Sequence, residues 1–153
     1  MTEKEKKGSK GTDWLGLISF GFFLILVGTI LTVTPNFTEE VISFFKDFHL
    51  ANVTSKIVFP APESNHPVVY TAAMQFCLVF GAFQIVILTL RFVFHESSKR
   101  KIETLSGIVF WFTVGFFLYL LTNEVIGWFG FIAGVIISIG LTIIVSNIFK
   151  LLR

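Results

Sequence analysis

Hydrophobic residues along the chain form four long apolar runs separated by short polar or proline-containing segments. The runs cover residues 14–33, 68–94, 105–121 and 125–149, and no charged residue lies in the middle of any of them. A helix needs about 20 predominantly apolar residues to cross the hydrocarbon core of a bilayer. The pattern therefore predicts four transmembrane helices.

The segment after the first run has a different pattern. Apolar residues recur at positions i, i+3, i+4 and i+7 from Val41 to Phe48, and acidic and other polar side chains occupy the opposite face. This spacing is typical of an amphipathic helix. Because residues 38–50 are too few and too charged to span a bilayer, we expect a short amphipathic helix on the membrane surface. The alternative is that its Phe edge packs on a partner protein.

Residues 51–67 are rich in proline, which excludes a continuous helix. We predict an irregular connection, in which residues 53–59 are compatible with a short extended stretch that has no specified partner. The predicted fold class is thus an all-α integral membrane protein. It has a disordered cytoplasmic tail over residues 1–13 and a single four-helix membrane domain over residues 14–153.

Composition supports a membrane environment. Hydrophobic residues make up 54% of the chain and charged residues only 14%, whereas about a quarter of the residues in soluble domains are charged. The 20 phenylalanines exceed what a water-soluble core of this size can bury, but lipid accepts them on any helix face. A water-soluble globular domain is therefore excluded.

The basic residues predict an orientation. Lysine and arginine near the ends of spans favour the cytoplasmic side. They cluster in the N-terminal tail, at residues 99–101 after the second run, and at the C-terminal Lys150 and Arg153, whereas the other connections carry few. We therefore expect both termini in the cytoplasm, with the cell membrane as the default location because the sequence contains no organelle address.

Three polar residues within or near the spans are candidates for function, because polar and ionisable groups are costly in hydrocarbon. Gln84 is expected to hydrogen-bond a neighbouring helix, in preference to lining a polar pathway. Arg91, in the last turn of the second span, is expected to reach the headgroups and to meet Glu96 or Glu103. Gln75 lies roughly opposite Gln84 on the same helix.

Small residues mark candidate helix-packing faces. Gly130, Gly134 and Ser138 are spaced by four in the last span, and Gly21 and Gly28 form a weaker face of the same kind in the first. Small side chains at this spacing let two helix backbones approach closely. The short turn at residues 122–124 makes the last two spans an antiparallel pair, which favours packing within one chain.

No motif for nucleotide binding, metal binding or catalysis is recognisable. His49 and His66 lack the spacing of metal ligands, and the only cysteine is Cys77. We therefore expect no metal, no cofactor and no nucleic-acid partner. The expected function is a small non-enzymatic scaffold or accessory subunit, whose partners are the lipid bilayer and either a larger membrane complex or further copies of the chain.

Two other functions stay open. One is an oligomeric channel or small-solute transporter with Gln75, Gln84 and Arg91 lining a path. The other is an enzyme on the outer face that uses His49, His66 or the glutamates.

Overall fold

The structure, a computed structural model, describes residues 13–151. The tail predicted over residues 1–13 lies outside the described residues except for Asp13. The elements in chain order are helix α1 (Trp14–Val33), helix α2 (Phe37–Lys46), strand β1 (Phe48–Thr54), strand β2 (Ile57–Pro62), helix α3 (Pro67–Val93), helix α4 (Ser98–Thr122) and helix α5 (Trp128–Leu151).

The fold is mostly helical, and α1, α3, α4 and α5 are each long and apolar enough to cross a membrane. The prediction of four long apolar helices is confirmed. The bounds of α1 agree with the first apolar run, and α3 is shifted by one residue from the second. Hydropathy locates these helices well because each apolar run is itself a local signal.

Helix α4 begins at Ser98, seven residues before the start of the third apolar run. Hydropathy marks only the apolar part of a helix, whereas lysine, arginine and glutamate are also good helix formers. The carbonyl oxygen of Ser97 accepts hydrogen bonds from the amides of Arg100 and Lys101 at 3.1 and 3.3 Å, so the first turn consists of charged residues.

Helix α5 begins at Trp128, three residues after the start of the fourth apolar run, and extends to Leu151. Residues 123–127 form the turn after α4. Glu124 has a left-handed backbone with φ of 56°, and the amide of Val125 donates to the carbonyl oxygen of Leu120 at 2.9 Å. This is the Schellman arrangement that ends a helix, and it uses apolar residues that hydropathy assigns to the span.

The prediction of an all-α fold is wrong between residues 48 and 62, where β1 and β2 form an antiparallel hairpin. The amphipathic helix predicted over residues 38–50 accordingly ends at Lys46. The β-branched residues on both sides of the Ser55–Lys56 turn favour extended backbone. Both strands of a two-stranded sheet are edge strands, so prolines fit where no ladder donor is needed.

The four long helices form a row in which α1 packs on α3, α3 on α4, and α4 on α5. Among the described residues, no extensive contact between α1 and α5 closes this row. The most buried cluster lies between α3 and α4, where Tyr70 and Cys77 meet Val114, Leu118 and Leu121. Gly115 lies directly against Cys77, which brings the two helices close together.

Contacts across the row define two ends of the molecule. At the basic end, Asp13 before α1 meets Arg91 in the last turn of α3. At the hairpin end, the side chain of Asn65 donates to Glu124 at 2.7 Å, and the indole N–H of Trp128 donates to the Pro60 carbonyl at 3.2 Å. The hairpin end therefore gathers α2, the β-hairpin, the start of α3 and the turn between α4 and α5.

Candidate functional site

The guanidinium of Arg91 is the centre of an ion-pair cluster at the basic end. The residue is 5% exposed. Its Nη1 pairs with Glu96 and its Nη2 lies 3.1 Å from Asp13, while Arg100 approaches Glu96 at 3.5 Å. Two cations and two carboxylates therefore meet where α1, α3 and α4 come together. A buried guanidinium requires such partners, because an uncompensated buried charge is strongly destabilising.

Local backbone geometry positions both carboxylates. After α3, His95 adopts a left-handed φ of 51°, and the amide of Glu96 donates back to the Arg91 carbonyl at 3.0 Å. Asp13 caps α1 by accepting a hydrogen bond from the Gly16 amide at 2.9 Å. Partial desolvation opposes ionisation of Asp13, but hydrogen bonds from Gly16 and Arg91, together with the nearby positive charges, hold its pKa below the ordinary value.

The other two intramembrane polar candidates have different neighbours. Gln84 donates to the hydroxyl of Ser19 at 2.7 Å and so joins α3 to α1. Gln75 is exposed near the hairpin end, beside a groove at the end of α1 that Thr34 and Pro35 also line. The structure does not bring Gln75, Gln84 and Arg91 together, because each lies at a different level along α3.

The small residues of α5 divide into two groups. Gly134 faces Phe117 of α4, so closely that a methyl group at this position would overlap the ring. Ser138 is fully buried and its hydroxyl donates to the Gly134 carbonyl at 2.8 Å. Gly130 faces Ile126, which belongs to the preceding turn. Gly134 and Ser138 are thus used within the chain, in the contact between α4 and α5.

The candidate packing face of α1 is open. A side chain added at Gly21 or Gly28 would meet no atom within 4 Å among the described residues. The contacts of α1 with α3 lie on its other side, where Phe22 stacks on Phe83 with ring centroids 3.8 Å apart.

A second polar cluster, at the hairpin end, was not predicted. The Oδ2 atom of Asp47 accepts the amide and the hydroxyl of Ser64 at 2.7 and 2.8 Å and lies 2.9 Å from the Nε2 atom of His66, which is buried. The Ser64 amide, then the His66 and Ser64 side chains, lower the pKa of Asp47 from 3.8 to about 2. The cluster joins the end of α2 to the start of α3.

These three residues include the types of a hydrolase triad but lack its geometry. In a triad, the carboxylate and the nucleophile contact opposite nitrogens of the imidazole. Here, both Asp47 and Ser64 face Nε2, and the Ser64 hydroxyl donates to Asp47. Within residues 13–151, no three His, Cys, Asp or Glu residues are close enough to hold a metal ion. The arrangement is suited to fastening segments together.

Aromatic rings complete the hairpin end. The ring of Phe44 in α2 makes edge contacts with Tyr70 at 6.0 Å and with Trp128 at 5.8 Å between centroids. Phe45, the next residue, is 69% exposed. The Phe edge of α2 is therefore divided between the chain's own core and its surroundings. Sequence periodicity gave the helix but not this contact, because Trp128 is distant in the chain.

No protein-family model matches this chain, no curated protein matches it in sequence, and no solved structure matches its fold. The fold and its clusters define a mostly helical protein with four potential membrane-spanning helices.

The Asp47 cluster makes a prediction about pH. Because the folded-state pKa of Asp47 is depressed to about 2, its stabilising contribution is fully present above pH 3.8 and is lost as the pH falls through the folded-state pKa. We expect Asp47→Asn to lower the Tm of the detergent-solubilised protein at neutral pH. We expect the difference in Tm between the Asp47→Asn protein and the unsubstituted protein to become smaller as the pH falls from about 4 to about 2.

The matched control is Glu63→Gln, which neutralises an exposed carboxylate in the same connection. We expect its Tm to follow the unsubstituted protein across this pH range. If the Asp47→Asn protein has the same Tm as the control at neutral pH, the contacts of Asp47 with Ser64 and His66 do not stabilise the fold.

Proposed function

We propose that this chain is a small non-enzymatic membrane protein that serves as a scaffold or accessory subunit of a larger membrane complex, and that it docks through its β-hairpin. The observation that carries the proposal is the apolar surface of the hairpin. Leu50 is 73% exposed and Val58 is 49% exposed. Their pairing partners, Pro60 and Asn52, place both side chains on one face of the hairpin.

Lipid acyl chains do not suit the hairpin as a cover because of its unpaired strand edges. Each strand of the hairpin has one edge whose backbone groups pair with no other strand of residues 13–151. Unpaired backbone polar groups do not occur at lipid-exposed positions in the hydrocarbon region. The hairpin therefore belongs outside the bilayer core. An exposed apolar surface in that position is typical of a site for protein contact.

The chain itself covers the hairpin only in part. The Pro60 carbonyl accepts the Trp128 indole N–H, and the Phe59 ring contacts Phe129 at 6.3 Å between centroids. These contacts anchor the hairpin to the start of α5. They leave Leu50 and Val58 available to a partner.

The same proposal includes an orientation in the cell membrane. Lys99, Arg100, Lys101 and Lys150 all lie at the basic end, which favours a cytoplasmic position for that end and for both termini. The hairpin end is then outside, and α2 lies at the outer membrane surface with Phe45 directed toward lipid.

The alternative, an oligomeric channel or small-solute transporter, would require a path between copies of the chain. Within one chain, Gln84 is bonded to Ser19, and Arg91 to Asp13 and Glu96. Two of the three candidate lining residues are thus engaged in internal contacts, and Gln75 alone is exposed. We therefore prefer the accessory-subunit proposal.

If the hairpin is the docking surface, replacing its two exposed apolar residues should abolish association with the partner. We expect Leu50→Ser with Val58→Ser to remove the partner that co-purifies with the unsubstituted protein, because it removes the apolar contact area that drives association. The measurement is native mass spectrometry of gently solubilised complexes, with the Tm of the isolated protein as the check on folding. Because both side chains are exposed, we expect the Tm to be unchanged.

The control is Val93→Ser with Leu151→Ser, which alters two exposed apolar residues at the basic end. We expect this protein to keep the partner. A homo-oligomer without any partner contradicts the proposal and favours the channel or transporter. Retention of the same partner by the hairpin variant rules out docking through this face.

The orientation is tested by cysteine labelling. We expect Ser55→Cys, at the turn of the hairpin, to react with a membrane-impermeant thiol reagent added to intact cells. Ser98→Cys at the basic end is expected to react only after lysis. The native Cys77 is buried and serves as the unlabelled background. The opposite pattern contradicts the orientation.

A further inference from the structure

An open groove of about 570 Å³ lies between α4 and α5 at the basic end. Its walls carry both charged and neutral polar groups, and its volume is within the range of small-molecule sites. The lining residues that matter here are Glu103, Ser106 and Phe110 of α4, and Ile143, Asn147 and Lys150 of α5.

The groove contains a buried hydroxyl group, that of Ser106, whose hydrogen-bonding capacity is not used within the described residues. The residue is 6% exposed, and its hydroxyl oxygen is buried without a hydrogen-bond partner among the described residues. By contrast, the nearby hydroxyl of Thr104 donates to the Arg100 carbonyl at 3.0 Å, and that of Thr113 to the Val109 carbonyl at 2.7 Å. A buried hydroxyl without a partner is costly, and a ligand that bonds to Ser106 removes this cost.

The charges on the two walls differ in sign. Lys150, on α5, forms no ion pair within residues 13–151, and Glu103, on α4, has only a 4.0 Å approach to the exposed Lys99. Exposed pairs of this kind contribute little. Both charges therefore remain available to a ligand that carries an anion and a cation.

We propose that the groove binds the headgroup of a zwitterionic phospholipid with a primary ammonium, a phosphatidylethanolamine. Lys150 faces its phosphate, Glu103 accepts from its ammonium, and the Ser106 hydroxyl bonds to a phosphate or ester oxygen. Ser106 lies eight residues into α4, about 12 Å from the start of that helix. At that depth, the apolar side chains of Phe110 and Ile143 continue the groove toward the hydrocarbon and contact an acyl chain.

The proposal requires that the chain lies in a bilayer, but it does not require the docked partner. A failure of lipid binding is therefore distinguishable from a failure of docking, because lipid binding is measured on the isolated protein.

The experiment is native mass spectrometry and thermal unfolding of the full chain in detergent, with phosphatidylethanolamine, phosphatidylcholine or phosphatidylglycerol of identical acyl chains added. We expect phosphatidylethanolamine to bind about tenfold more tightly than the other two, because charge-assisted hydrogen bonds to its ammonium are available only there. It is also expected to give the largest rise in Tm.

Two variants locate the site. Ser106→Ala and Lys150→Gln are expected to weaken phosphatidylethanolamine binding about tenfold each. Ser106→Ala is expected to leave the Tm of the lipid-free protein unchanged or raised, because it removes an unpaired buried hydroxyl. The matched controls are Thr113→Val on α4 and Lys46→Gln at the hairpin end, and both are expected to bind the lipid normally.

Equal binding of the three lipids overturns the assignment of the headgroup. Normal binding by both groove variants overturns the assignment of the site. Displacement of the lipid by inorganic phosphate at millimolar concentration identifies a simple anion site and also contradicts the proposal.

Discussion

The pairing of Arg91 with two carboxylates is the interaction that holds the start of α1 and the turn before α4 against the end of α3. A guanidinium that is 5% exposed at the end of a long apolar helix requires compensation. Glu96 is supplied by the turn that follows the same helix, and Asp13 by the residue that caps α1. The cluster therefore fixes how α1 begins, how α3 ends and how the chain enters α4. The remaining α1 contacts, aromatic stacking and the Gln84–Ser19 hydrogen bond, lie along α3.

The hairpin end is held together by a different set of contacts. Asp47, Ser64 and His66 join α2 to α3, and the rings around Phe44 connect both to the start of α5. Three surfaces of the described residues stay exposed: the face of α1 with Gly21 and Gly28, the groove between α4 and α5, and the hairpin face with Leu50. The proposed lipid site uses the groove, and the proposed docking surface uses the hairpin face.

The sequence predicted those parts of the fold that depend on local signals. Apolar runs gave the four long helices, and helical spacing gave α2. The same spacing gave a wrong prediction at Phe48, because a residue that completes a helical stripe can equally begin a strand. The pairing of residues 48–54 with 57–62 is specified by register, not by composition.

The partners of the polar residues were predicted only in part. For Arg91, Glu96 was among the expected partners because it is close in the chain. Asp13 was not, because Asp13 and Arg91 are 78 positions apart and are brought together only by the packing of α1 on α3. The Asp47 cluster was not predicted because Asp47 is 17 and 19 positions from Ser64 and His66, and only the folded chain brings the three together.

The contribution of the Arg91–Asp13 ion pair is tested most directly by a double-mutant cycle of Arg91→Gln and Asp13→Asn, measured by reversible unfolding in mixed micelles. If the guanidinium fastens α1 to α3, the two substitutions are not independent. We then expect the destabilisation of the double variant to be smaller than the sum of the single effects by at least about 0.5 kcal/mol. Additive effects, or an Arg91→Gln protein as stable as the unsubstituted one, would contradict the claim that this ion pair holds the helices together.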